Sequence, residues 1–187
     1  MAKRVLRYLN GTWDLGIMYW KKPLSDSGNH NHVTPWWYWN MNYAEDPHDR
    51  KSTSGYVFML AGGLIVWKSK KQASVALLTT EAEYYALGIT CQGAICLWQL
   101  FQELCVSLSQ PTSIYSNNTG AVALSDNLVF HNHSKHIDIC WHFVCELICS
   151  KIVHTSHIPG IQNGSDFLTK ALNCFKHERC VKILWME

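Results

Sequence analysis

The run Leu78-Thr79-Thr80-Glu81-Ala82-Glu83-Tyr84-Tyr85-Ala86-Leu87 decides how this chain is read. It opens the longest helical pattern in the sequence, predicted over 79–104, where Ala82, Ala86, Ile89, Ile95 and Leu100 supply much of an apolar stripe. Glu81 and Glu83 lie about 200° apart around such a helix, so only one of them can face a sheet. Thr80 and Glu83 also have the spacing of a capping box, which would make Glu83 a structural residue. Spacing alone leaves both readings open.

Working outward, the preceding residues read as three strands, over 37–43, 55–60 and 64–70. The last two are joined by Ala61-Gly62-Gly63, where a Gly-Gly pair permits the positive φ of a tight hairpin. Beyond the helix, Pro111 halts the pattern and 112–116 reads as a short strand. Helices are predicted over 119–125 and 135–150, a strand over 152–157, and a last helix over 165–172. Three antiparallel strands followed by alternating helix and strand give an α/β fold, a mixed five-stranded sheet flanked by helices. At the start, 2–10 reads as a helix with Val5, Leu6 and Leu9 on one side, 15–20 as a strand and 21–32 as a polar loop. The expected division is a tether over 1–33 and a main domain over 34–187.

The chain has 187 residues, 48% hydrophobic and 16% charged, which fits a globular protein with a sizeable core and excludes a disordered one. No apolar run approaches the roughly 18 residues that a membrane-spanning helix needs. The opening Met-Ala-Lys-Arg-Val-Leu-Arg-Tyr lacks the apolar core of a secretory signal and reads as the start of a fragment. Net charge is +2, too small to argue a nucleic-acid partner by itself. All eight cysteines fall after residue 90, unlike a disulfide scaffold, and read as reduced thiols of an intracellular protein.

Several runs then act in combination: Lys51-Ser52-Thr53-Ser54-Gly55-Tyr56, Trp67-Lys68-Ser69-Lys70-Lys71-Gln72, the Thr79–Leu87 run, Ile114-Tyr115-Ser116-Asn117-Asn118, Ser134-Lys135-His136-Ile137-Asp138-Ile139 and His157-Ile158-Pro159-Gly160. Together they resemble the ribonuclease H domain of copia-type LTR retrotransposon Pol polyproteins, over nearly the whole chain. The resemblance implies a ribonuclease H-like fold and degradation of the RNA strand of RNA–DNA hybrids during reverse transcription. It also implies a neighbouring reverse transcriptase domain, with 1–33 as the end of its connection. The chemistry uses two Mg²⁺ ions (Mn²⁺ as a substitute) about 4 Å apart, held by converging carboxylates.

In the family those carboxylates are an Asp on the first strand, a Glu on the long helix, an Asp ending the fourth strand and an Asp opening the last helix. The matching positions here are Asn40, Glu83, Asn117 and Asp166. Asn42, two residues on and on the same strand face, replaces a second family acid. An Asp in a first helical turn, as at 166, is also explained by the helix dipole. Against two divalent ions the site falls from four negative charges to two. Losing one preorganised electrostatic partner costs about 10²–10³ in rate. The resemblance therefore implies a copy without ribonuclease activity, with impaired metal binding. His157 matches the region of a mobile histidine that aids proton transfer, or simply ends a strand at the surface.

Lys68, Lys70 and Lys71 match a family run beside an aromatic residue and are candidate contacts to the phosphates of a hybrid, against the ordinary reading of a solvated turn. A rival class of function is a zinc-stabilised helix. His136/Cys140 and Cys145/Cys149 each stand four apart, with His131, His133, His142 and His154 nearby, but no Cys-x₂-Cys pair occurs. A third reading keeps the fold as a catalytically dead binding or tethering module.

The departures share a direction. Asp gives way to Asn at 40, 42 and 117, and Arg to Cys at 140 and 145 and to Trp at 98. Each is one C-to-T change on one DNA strand or the other, which sequencing of the codons tests. Trp37 and Trp39, standing at positions matched by small residues, are expected to overpack.

Overall fold

In the structure, a computed structural model, the described residues are 2–19, 36–42, 48–73, 75–76, 79–106, 108, 110–126, 135–184 and 186. The polar loop expected over 21–32 lies outside them. So do the side chains of Trp36, Trp37, Trp39, Asn42 and Thr80, which leaves the packing of the tryptophans and the capping box outside the described residues.

A hairpin of β2 (Thr53–Leu60) and β3 (Gly63–Lys71) carries one half of a five-stranded sheet. The positive φ values fall at Ala61 (50°) and Gly62 (80°). The turn thus takes its left-handed pair one residue earlier than the Gly-Gly reading suggests, and Gly63 already belongs to β3. β1 (Trp36–Asn42) pairs antiparallel with β2, and β4 (Thr112–Ser116) and β5 (Val153–His157) add parallel strands, giving the order β3-β2-β1-β4-β5. The expected mixed sheet is present.

Side chains alternate across the sheet, so each strand feeds two cores. Tyr56 and Phe58 meet α2 (Thr79–Glu103) and α4 (Lys135–Cys149) in the larger core, with Ala82, Leu87, Cys91 and Val144. Leu100, assigned to the apolar stripe of α2, is 45% exposed. The buried stripe instead continues through Ala94, Leu97 and Phe101, because the helix packs on the sheet and on α4 together. α3 (Thr119–Asp126) completes this layer.

Val57 and Met59 point the other way, into a smaller core closed by Leu184 with Tyr38, Phe167, Leu168 and Met186 around it. Here the sequence reading needs correction. The helix expected over 165–172 is a 3-10 turn, Gly164–Leu168, and the α-helix of this face comes later, as α5 (Cys174–Ile183). Asn163 caps the turn through its own side chain and Asn173 starts α5, so two Asn caps divide what reads as one apolar run. Of the strand expected over 15–20, the described residues 15–19 form only an isolated bridge between Ile17 and Met186. α1 (Ala2–Gly11) has no buried residue and touches α5 where Tyr8 meets the His177 ring edge-on at 5.5 Å. Among the described residues no helix is long and apolar enough to cross a membrane.

Candidate functional site

Three of the four candidate metal positions meet at one place, between β1, the start of α2 and the 3-10 turn. Asn40 sits opposite Gly55 of β2, on the sheet face that the turn covers. A Cβ at Gly55 would lie 2.8 Å from Leu168 Cβ and Thr169 Cγ2, so glycine is what lets the turn lie so low. Asn40 is thereby buried, and its Nδ2 donates to Asp166 Oδ1 in a short contact and to Thr169 Oγ1 at 3.3 Å. The other carboxylate oxygen, Asp166 Oδ2, lies 3.1 Å from Lys170 Nζ. Four residues of irregular backbone after Asp166 bring that ammonium back onto its own carboxylate.

Glu83 projects from the first turns of α2 and is 5% exposed, which resolves the ambiguity of the acidic pair: Glu83 is the inward residue and Glu81 the half-buried one. Burial pushes its carboxyl up to about 7. A hydrogen bond from Asn118 and the Lys170 charge oppose that rise, while the Asp166 charge adds to it. Glu83 Oε2 is buried without a hydrogen-bond partner. Among the described residues it is the one unsatisfied side-chain oxygen of the site, and such an atom is costly to bury.

Asn117 stands one residue past β4, half-buried, and turns aside. Its Oδ1 accepts from Asn163 Nδ2 at 3.4 Å, tying the end of β4 to the cap of the 3-10 turn. Its neighbour Asn118 does more at the centre, reaching Glu83 while its Oδ1 accepts from Ala121 N at 3.0 Å and so starts α3. Lys170 and Asn118 were both missed as site residues. A Lys four positions after an Asp, and an Asn at a helix cap, are the signals that could have found them.

His157 ends β5 in register with Ser116 and is exposed, next along the sheet end to Asn117. Lys68, Lys70 and Lys71 are all exposed on β3, an edge strand, but the run is split between faces. Lys68 and Lys70 alternate with Trp67, Ser69 and Lys71, and Ser69 Oγ donates to Leu168 O at 2.6 Å on the side of the 3-10 turn. Lys71 Nζ pairs with Asp49 Oδ2 at 2.9 Å.

Among the described residues no group of three or more His, Cys, Asp or Glu is placed to hold a metal ion. For the zinc reading the reason lies in α4. Cys145 is buried and Cys140 Sγ faces Tyr84 O of α2 at 3.6 Å, whereas His142 and Cys149 are exposed. His131 and His133, and the side chain of His136, lie outside the described residues.

No family model matches the chain. It is 37% identical over 171 residues, 91% of its length, to the Retrovirus-related Pol polyprotein from transposon RE2 of Arabidopsis thaliana. It is 34% identical over 186 residues, its whole length, to the Retrovirus-related Pol polyprotein from transposon TNT 1-94 of Nicotiana tabacum. The chain spans 11% and 13% of those two polyproteins. Its fold matches LC11-RNase H1, solved in complex with an RNA/DNA hybrid, with a TM-score of 0.53 at 14% identity over 73% of this chain and 94% of that one.

Proposed function

This chain belongs with the Pol polyproteins of copia-type retrotransposons and has the ribonuclease H fold, and from that premise we propose that it engages RNA–DNA hybrids as a ribonuclease H domain whose cleavage site has been disarmed. The single observation that supports the disarmed site is the convergence of Asn40, Glu83 and Asp166 at one end of the sheet, with Asn117 beside them. Those are the matched positions of a site that in its family holds two divalent ions.

The residues present do not fit that pair of ions. Asn40 presents an N–H to Asp166 where a metal needs an oxygen. Asp166 is already occupied by Asn40 and Lys170, which leaves Glu83 Oε2 as the unsatisfied oxygen among the described residues of the site. Two carboxylates and one ammonium sum to at most a single negative charge, and burial of Glu83 makes it smaller still. No cleavage step is therefore assigned to this chain.

Hybrid binding has separate support. Lys68 and Lys70 stand exposed at the sheet edge on the strand that Ser69 ties to the turn carrying Asp166. Phosphate contacts need only accessible cations. In the cell the segment would act inside a larger polyprotein beside its reverse transcriptase.

The test is cleavage of a labelled RNA–DNA hybrid with Mg²⁺ or Mn²⁺, comparing the chain with its Asn40→Asp, Asn42→Asp, Asn117→Asp variant. The chain itself should bind the hybrid and leave it intact, and the variant should cut at least about 10²-fold faster. Cutting by the unaltered chain would end the disarmed reading. Failure of both proteins to bind hybrid would end the functional one.

A further inference from the structure

The geometry points to Lys170 as a built-in counter-ion that, together with the Asn40 amide, makes the folded chain indifferent to divalent metal. The inference rests on reading positions 40, 83, 117 and 166 as a former metal site, and it concerns what now holds that site together.

Asp166 is 8% exposed, and a buried carboxylate is stable only when paired and hydrogen-bonded. Both of its oxygens are served from within the chain, one by Asn40 Nδ2 and the other by Lys170 Nζ at 3.1 Å. The same ammonium acts favourably on Glu83 across the site. One tethered cation thus serves two acids, where a divalent ion would serve them from outside.

The substitution at residue 40 is what makes one cation sufficient. An Asp there would set two carboxylates in contact, and like charges that close cannot both ionise without a cation between them. Asn removes the repulsion and adds a donor aimed at Asp166. The site is therefore a closed polar junction between β1 and the 3-10 turn, with Thr169 Oγ1 as a second acceptor for the same amide.

Thermal unfolding of the whole chain, without nucleic acid, in EDTA and in millimolar MgCl₂ or MnCl₂, tests this. The chain as it stands should show no metal-dependent change in Tm. Lys170→Met should melt lower in EDTA and regain stability with metal, whereas Lys170→Arg should behave like the parent. Asn40→Asp with Asn117→Asp should melt below the parent in EDTA and gain about 5 °C or more with metal.

A parent that responds to metal as strongly as that double variant would overturn the proposal, as would a Lys170→Met protein that matches the parent in both media. If Lys170→Met does not fold, Mn²⁺ titration of the parent by calorimetry decides instead: uptake refutes the built-in cation, and none supports it. Metal indifference of the double variant alone would count against the former-site reading while leaving the parent and Lys170 results to judge the counter-ion.

Discussion

Glu83 carries a charge that its surroundings resist. Its folded carboxyl titrates near 7 against an ordinary 4.5, so the folded state holds the proton more tightly than the unfolded chain. The stability from this group is fully present below about pH 4.5 and is lost as the pH rises through about 7. Glu83→Gln should therefore be close to neutral near pH 4 and should stabilise the fold by about 2–3 kcal/mol near pH 8. Urea unfolding midpoints of parent and variant at both pH values check this, and a variant less stable than the parent at the higher pH contradicts it. At this scale the family-matched motifs located three residues that the structure brings together, Asn40, Glu83 and Asp166, although no side-chain type declared the place by itself. Lys170 and Asn118 escaped because their roles depend on an irregular turn and a helix cap folding back, which no periodicity reports.

Elements were legible in proportion to the regularity of their apolar pattern. The three antiparallel strands, α2 and the parallel pair β4–β5 all follow alternation or helical repeat. α5 did not announce itself, since Cys174-Phe175-Lys176-His177-Glu178 offers little apolar face and only Cys180 is buried. Its clear signal was Asn173, whose Oδ1 accepts from Lys176 N at 3.0 Å. The β2–β3 turn stores a little strain at Ala61, a residue with a Cβ held at φ 50°. Ala61→Gly should raise stability by about 0.5–1 kcal/mol, read as a higher Tm with unchanged hybrid binding. On β3 itself, Lys68→Ser with Lys70→Ser should weaken hybrid binding and flatten its dependence on log salt by about one unit per lost phosphate contact. An unchanged slope would mean that this strand does not touch the hybrid.

Taken whole, the molecule is a sheet with unequal coverings. One face lies under α2 and α4, and the other is closed by the 3-10 turn, α5 and Leu184. Leu184 is fully buried in the smaller core, so Leu184→Ala should cost about 2–5 kcal/mol. Because Asp166 belongs to the same covering, the loss should also loosen the Asn40 junction, visible as faster amide exchange in β1. The fold class was readable early because three antiparallel strands followed by alternating helix and strand specify a mixed sheet, whereas the order β3-β2-β1-β4-β5 comes from the structure. The covering of the second face was not, since its residues come from short, irregular pieces.

The position of β3 at the border of the sheet has a consequence for how this protein behaves in a tube. A border strand invites a second chain to add on, and charged side chains along it discourage that, as does Tyr19 Oη at one end by donating to Leu64 O at 2.6 Å. Lys68, Lys70 and Lys71 stand along this border beside the exposed ring of Trp67. Stripping these lysines should therefore leave a chain that scatters light and self-associates at concentrations where the parent stays clear.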